Sequence, residues 1–313
     1  MHPKRKVIKE MEKILIASRP SQLARWQAGR VMRQLRAAWP ERDFAVRVIE
    51  TKGDRVLDRP LPEIGGKGLF TLELEEALLA GKVHAAVHSL KDLPVESSPG
   101  LTVGSVPRRA DPRDVLITRS GRTLKELPEG ARMGTSSLRR RAQLMLMRPD
   151  LEILSLRGNV PTRVKKAHDG ELGYDGIVLA AAGLTRLGLE EEITAYFSLE
   201  EMLPAPAQGA LAVQCREDRE DLLALFAAIE HEPTRRAVRA ERIFLQALGG
   251  GCAVPVAAFG EAGGGGIQLT GLVAEVNGGK VIRVEGAGKD PEELGARLAA
   301  RAVEQGAEEL LDV

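Results

Sequence analysis

Basic side chains in this chain gather where short apolar runs give way to turns. Arg19 follows the run 13–18, Lys67 stands in Gly65-Gly66-Lys67-Gly68, and Lys91 in His88-Ser89-Leu90-Lys91-Asp92. A second set repeats the pattern with Thr135-Ser136-Ser137-Leu138-Arg139-Arg140, then Ser155-Leu156-Arg157-Gly158-Asn159 with Arg163. Helix starts leave backbone N–H groups unpaired, so hydroxyls and guanidinium forks placed there suit carboxylate or phosphate. Taken singly, each base reads better as a solvated surface charge. Their recurrence at comparable strand ends, beside glycines that admit a ligand to the backbone, points to a multiply anionic ligand. The spacing does not separate a polycarboxylate from a phosphate.

Asp92 is a lone carboxylate in this basic company. It reads equally as a turn or cap residue and as a group acting on positive charge; at ~4 Å and an effective dielectric of ~20 such a pair interacts by ~4 kcal/mol. Cys252 follows Gly249-Gly250-Gly251 on a loop, which leaves it open as a nucleophile, although an isolated cysteine is more often structural and no histidine adjoins it. Cys215, in Ala210-Leu211-Ala212-Val213-Gln214-Cys215, reads as core packing. The Gly65–Gly68 run lacks P-loop spacing and a following hydroxyl, which disfavours ATP. His84 and His88 have the spacing of a zinc helix but sit in a strand-like run without the glutamate of that motif; no catalytic metal is expected.

Periodicity places these residues on elements. A strand at 13–18 leads to a helix over 21–39, a strand at 44–51, the loop 52–68, a helix over 69–80, and strands at 83–88 and 101–106. A turn-rich stretch at 107–112 marks a crossing, after which strands at 115–118, 131–134, 151–155 and 176–180 alternate with helices. A second crossing at 202–208 precedes a strand at 210–215 that returns to the first unit. Helices over 221–229 and 234–248 follow, then strands at 254–259, 267–275 and 280–285 and a last helix. Gly263–Gly266 reads as a hairpin turn. The fold class is therefore α/β: two α/β domains with mainly parallel sheets joined by a two-crossing hinge, and a small α+β C-terminal domain. The expected units are 11–107 with 208–226, 112–202, and 230–313, with the ligand in the cleft between the first two.

The 313 residues carry 45 Lys and Arg against 44 Asp and Glu, so anion preference must be local. Aromatics make up 3%, leaving little on which to stack unpaired bases, and no nucleic-acid partner is expected. No run reaches the roughly 18 apolar residues of a membrane span, and the basic start is interrupted before any signal-type apolar core. A cytoplasmic monomer with no membrane partner is expected.

Together these stretches resemble the porphobilinogen deaminase (hydroxymethylbilane synthase) family. The resemblance is carried by Arg19-Pro20-Ser21-Gln22-Leu23-Ala24 with Gln27, Thr51-Lys52-Gly53-Asp54, 65–70, 87–94, 134–140, 155–159, 204–209 and Gly251-Cys252. It implies a transferase of tetrapyrrole (heme) biosynthesis with two solute-binding-protein-like α/β domains and a third small one. Four porphobilinogen molecules would be joined head to tail on a dipyrromethane cofactor held covalently through Cys252, with release of ammonia and linear hydroxymethylbilane. The resemblance makes Asp92 the catalytic carboxylate. It places Ser89, Lys91, Thr135, Ser136, Ser137, Arg139 and Arg140 at the cofactor, and Arg19, Ser21, Gln27, Lys67, Arg157, Arg163 and Gln208 at the substrate. Glu63 departs from a lysine found in some members, and Gly249 from a common glutamate. The competing reading is a non-enzymatic two-lobed anion-binding or effector-sensing module.

Overall fold

The computed structural model describes residues 13–55, 70–250 and 254–311; Lys67 and Cys252 lie outside the described residues. The chain begins β1 (Ile14–Ser18), α1 (Gln22–Ala38), β2 (Phe44–Val48), the short helix α2 (Lys52–Arg55), α3 (Leu72–Leu79), β3 (Ala85–Ser89) and β4 (Leu101–Ser105). Helix α1 shows how the sequence sets its ends. Ser21 caps it by accepting from the Ala24 amide, and Ala24, Ala28, Val31 and Leu35 bury one face against the sheet. The helix closes at Trp39, before Pro40.

After a first crossing come β5 (Asp114–Thr118), β6 (Arg132–Gly134), α4 (Leu138–Met147), β7 (Glu152–Leu154), α5 (Val160–His168), β8 (Gly176–Ala180), α6 (Ala181–Thr185) and β9 (Ala195–Tyr196). A second crossing leads to β10 (Leu211–Arg216), α7 (Glu220–Phe226) and α8 (Glu232–Ala247). The first sheet runs β2-β1-β3-β10-β4 and the second β7-β6-β8-β5-β9. The two orders correspond strand for strand, and in each sheet the fourth strand arrives by a crossing from the other sheet. That strand is antiparallel to both neighbours, β10 to β3 and β4, and β5 to β8 and β9. The sheets are thus mainly parallel with one reversed strand each. Hydrophobic patterning alone carries no strand direction, and the two-residue edge strand β9 is too short to leave a pattern.

The two crossings touch. Ala110 donates its amide to Gly209 O at 3.1 Å, and Gly209 has φ +86°, where a Cβ would lie 2.7 Å from Ala110 O. Only glycine fits that approach.

The last part is the small α+β domain: β11 (Val256–Gly263), β12 (Gly266–Ala274) and β13 (Val281–Gly288) form an antiparallel meander, followed by α9 (Pro291–Glu304). Gly264 and Gly265 both take positive φ in the turn that pairs Gly263 with Gly266, as a tight two-residue hairpin requires. Phe244 of α8 and Leu294 and Leu298 of α9 cover the sheet with Ile267, Leu269 and Val284.

Candidate active site

The carboxyl end of β1 delivers Arg19 and Ser21, and that of β3 delivers Ser89, Lys91 and Asp92, the last two on a 3-10 turn, Leu90–Asp92. Arg19, Ser21, Gln27, Ser89 and Asp92 line one cleft with His88 and Phe70. Gln27 donates to Ser89 Oγ at 2.8 Å. Arg19 is held by Asp54, with Nη2 to Oδ1 at 2.5 Å, and its guanidinium stacks 4.1 Å from the Phe70 ring centroid. Asp54 also accepts from the amide and hydroxyl of Thr51. Burial opposes ionisation of Asp54, but the Arg19 and Thr51 bonds outweigh it and hold the carboxyl below its ordinary range. The motif Thr51-Lys52-Gly53-Asp54 therefore acts by fixing Arg19.

Asp92 is exposed to the cleft, and its carboxylate makes no hydrogen bond or ion pair among the described residues. Its field reaches His88, Lys91 and Arg163. Burial pushes Lys91 down to about 8, a shift that Asp92 opposes and Arg140 and Arg139 reinforce. Burial likewise pushes Arg163 down to about 10, with Arg140 and Arg157 nearby. The charges of the two sheets thus act on one another, with Asp92 opposing the shifts of both Lys91 and Arg163. His88, on the same cleft, is buried, and burial pushes its imidazole down to about 4 against the opposing field of Asp92, so it is neutral at pH 7.

The second sheet supplies the opposite half. Ser137 caps α4 by accepting from the Arg140 amide, and Thr135 accepts from the Ser137 amide. Ser136 joins the two loops, meeting Ser155 Oγ at 3.0 Å and the backbone of Leu156. Arg163 folds back on Gly158 O at 2.7 Å, and Arg157 keeps a buried Nη1 without a partner.

Arg139 and Arg140 are buried on either side of Asp114, a residue that sequence reasoning missed. Arg139 Nη1 lies 2.7 Å from Oδ2, Arg140 Nη2 2.7 Å from Oδ1, and Arg140 Nη1 also donates to Val178 O. Burial alone would raise the Asp114 pKa, but the two guanidinium groups reverse that and hold it well below the usual carboxylate range. Gln208 completes the network. Its Nε2 donates to Asp114 Oδ1 at 2.9 Å and to Pro112 O, and its Oε1 accepts from Lys91 Nζ at 3.1 Å. One amide thus ties the first sheet's lysine to the second sheet's arginine pair. Nothing local in Val115–Thr118 marks Asp114; it is recognisable only once the crossing brings it beside α4.

Cys215 is core, as expected, its thiol pushed up to about 11 by burial. Arg186 was also missed: it donates to Gly209 O at 2.6 Å and approaches the Trp26 ring, joining the second sheet's last helix to the crossing and to α1.

Comparison with known sequences decides what such a cleft serves. Residues 14–224 match the family model described as porphobilinogen deaminase, dipyromethane cofactor binding domain, and residues 235–304 match the porphobilinogen deaminase C-terminal domain. The chain belongs to the porphobilinogen deaminase family. Porphobilinogen deaminase of Stenotrophomonas maltophilia is 50% identical over 305 residues, covering 97% of this chain and 100% of the relative. That of Brevibacillus brevis is 47% identical over 302 residues, covering 96% and 97%, and that of Bacillus subtilis 46% over 304 residues, covering 96% of each. As a member of that family, the protein is a transferase that condenses four porphobilinogen molecules head to tail on a dipyrromethane cofactor, releasing ammonia and linear hydroxymethylbilane. The anion-receptor alternative has nothing in its favour. No described helix is long and apolar enough to cross a membrane.

Proposed function

We propose that Asp92 is the catalytic carboxylate, that Cys252 tethers the cofactor through a thioether, and that the surrounding bases hold the acetate and propionate groups of cofactor and substrate. The observation that carries this reading is Asp92 itself: a cleft-facing carboxylate among Lys91, Arg163 and a neutral His88. As ammonia leaves porphobilinogen, positive charge spreads over the pyrrole, and a fixed carboxylate beside it lowers the barrier without reorganising. The residues suit an acidic dipyrrole. Arg157 Nη1 and Arg139 Nε are buried donors without a partner, and a carboxylate is the acceptor such donors lack. When bound, the dipyrromethane supplies the free α-carbon to which each new pyrrole is joined.

On this reading Ser89, Lys91, Thr135, Ser136, Ser137, Arg139 and Arg140 serve the cofactor, and Arg19, Ser21, Gln27, Lys67, Arg157 and Arg163 the incoming substrate; Gln208, expected with the latter, is fully buried with its amide committed to Lys91, Asp114 and Pro112, and acts through them. The geometry supports a division of labour within these sets. Arg139 and Arg140 also hold Asp114, so they anchor the second sheet as well as presenting charge. Arg19 is aimed by Asp54 and Phe70. Because one carboxylate must serve every round, the units 11–107 with 208–226, 112–202 and 230–313 shift about the crossings as the chain lengthens. The enzyme acts as a cytoplasmic monomer.

The test is Asp92→Asn. The variant retains the covalent adduct but releases ammonia at least about 10²-fold more slowly, the scale of losing a preorganised charge-stabilising group. A normal steady-state rate with a full complement of cofactor would remove Asp92 from the chemistry.

A further inference from the structure

The turn that carries Asp92 is held from the C-terminal domain. Arg242, on α8, spreads its guanidinium over four carbonyls of the catalytic segment. Nη1 donates to Leu90 O and Leu93 O, each at 3.0 Å, and Nη2 to Pro94 O at 2.6 Å and Val95 O at 3.2 Å. Those carbonyls bracket Lys91 and Asp92. A single 3-10 turn cannot satisfy its own last carbonyls, and the extended chain beyond it has no strand partner to do so. A planar guanidinium with five donors can, and an ammonium on the same stem could not reach all four.

The same helix fixes the segment's side chains. Val238, one helical turn before Arg242 and on the same face, packs with the buried Leu90 and Leu93 and with Val106, Ala207 and Ala210 of the crossings. Glu241, next to Arg242, reaches the crossings themselves through Arg109 and the Ala207 amide. Helix α8 ends at Ala247, and the chain then runs through Gly249-Gly250-Gly251 to Cys252. One helix therefore grips the Asp92 turn and leads to the tethering cysteine.

We propose that Arg242 is a positioning residue for the condensation reaction, fixing the Leu90–Val95 backbone so that Asp92 faces the reacting pyrrole. The inference rests on the role assigned to Asp92. It adds that the carboxylate's placement is set by the C-terminal domain rather than by the sheet on which it sits. Misplacement of a reacting group by about 1 Å costs on the order of 10²-fold in rate, so a backbone clamp acts on kcat more than on substrate affinity.

The experiment is a double-mutant cycle between Arg242→Gln and Asp92→Glu in the cofactor-loaded enzyme, with amide hydrogen exchange over residues 90–96 measured alongside. Arg242→Gln alone lowers kcat at least about tenfold while KM moves less than about twofold. It also speeds exchange at those amides. Arg242→Lys recovers part of the rate. In the Asp92→Glu background the same change adds little, since the carboxylate is already displaced. Arg239→Gln on the same helix, which loses only an exposed contact with Glu292, leaves rate and exchange unchanged. Unchanged kcat in Arg242→Gln, or a fully multiplicative loss in the double variant, would overturn the proposal. A normal rate in Asp92→Asn would instead overturn the role of Asp92, so the two failures are distinguishable. Should Arg242→Gln fold poorly, Arg242→Lys with the same exchange measurement decides: native exchange with a reduced rate would count against positioning.

Discussion

Arg109 and Glu241 join all three parts of the molecule. Arg109, in the first crossing, places Nη1 2.6 Å from Glu241 Oε1 on α8, and its Nε donates to Gln208 O in the second crossing. Glu241 is fully buried and also accepts from the amides of Ala207, in the second crossing, and Gly260, in β11. One carboxylate thus pins both crossings to the C-terminal domain. Glu241→Gln would leave the Arg109 charge without its partner in a dry site, at a cost of about 3–5 kcal/mol. Urea denaturation should read that loss directly; an unchanged midpoint would show that the pair is dispensable.

Asp114 makes the fold acid-sensitive. Its pKa is depressed in the folded protein relative to about 3.9 in the unfolded chain, so its stabilisation is complete above pH 4 and drains away as pH falls through the folded value. The expected slope approaches about 1.4 kcal/mol per pH unit below pH 4 from this one group. Asp114→Asn should lower stability at pH 7 and flatten that acid slope. An unaltered slope in the variant would assign acid lability to other carboxylates.

Burial brings the Lys91 ammonium close to deprotonation at mildly alkaline pH. With its pKa pushed to about 8, the ammonium is lost near pH 8 rather than above 10. Its hold on the carboxylates of the tethered cofactor should weaken above pH 8, seen as a falling kcat, and Lys91→Arg should remove the fall because a guanidinium stays charged. The depressed pKa also means that the folded state is penalised for carrying this charge below pH 8, a penalty that fades as pH climbs toward 10. Lys91→Met is therefore expected to gain thermal stability at pH 7 while losing activity. A kcat profile flat to pH 9 in the parent enzyme would contradict the assignment.

Much of this architecture was legible in the sequence because it rests on local signals. Ser21, Ser137 and Asn159 each precede a helix they cap, and the alternation of apolar runs placed Arg19, Lys91 and Arg157 at strand ends. The reversed strands β5 and β10 were not legible, since direction follows from the crossings rather than from pattern. Nor were Asp114, Arg186, Glu241 and Arg242. Each is an ordinary charge in its own segment and gains its role from a partner that is distant along the chain or across a crossing, as with Asp114 and Arg139 or Arg242 and Leu90. The role of Arg139 and Arg140 was read as ligand binding alone; their burial against Asp114 depends on a strand that arrives from elsewhere.

The role proposed for Asp92 requires a dipyrrole tethered through sulfur within its reach. The intact mass of the purified protein, with peptide mapping, measures this directly. A mass exceeding that of the sequence by one dipyrromethane, with the adduct on the peptide containing Cys252, is the expected result. Fully active protein of unmodified mass, or an adduct on any other residue, would contradict it.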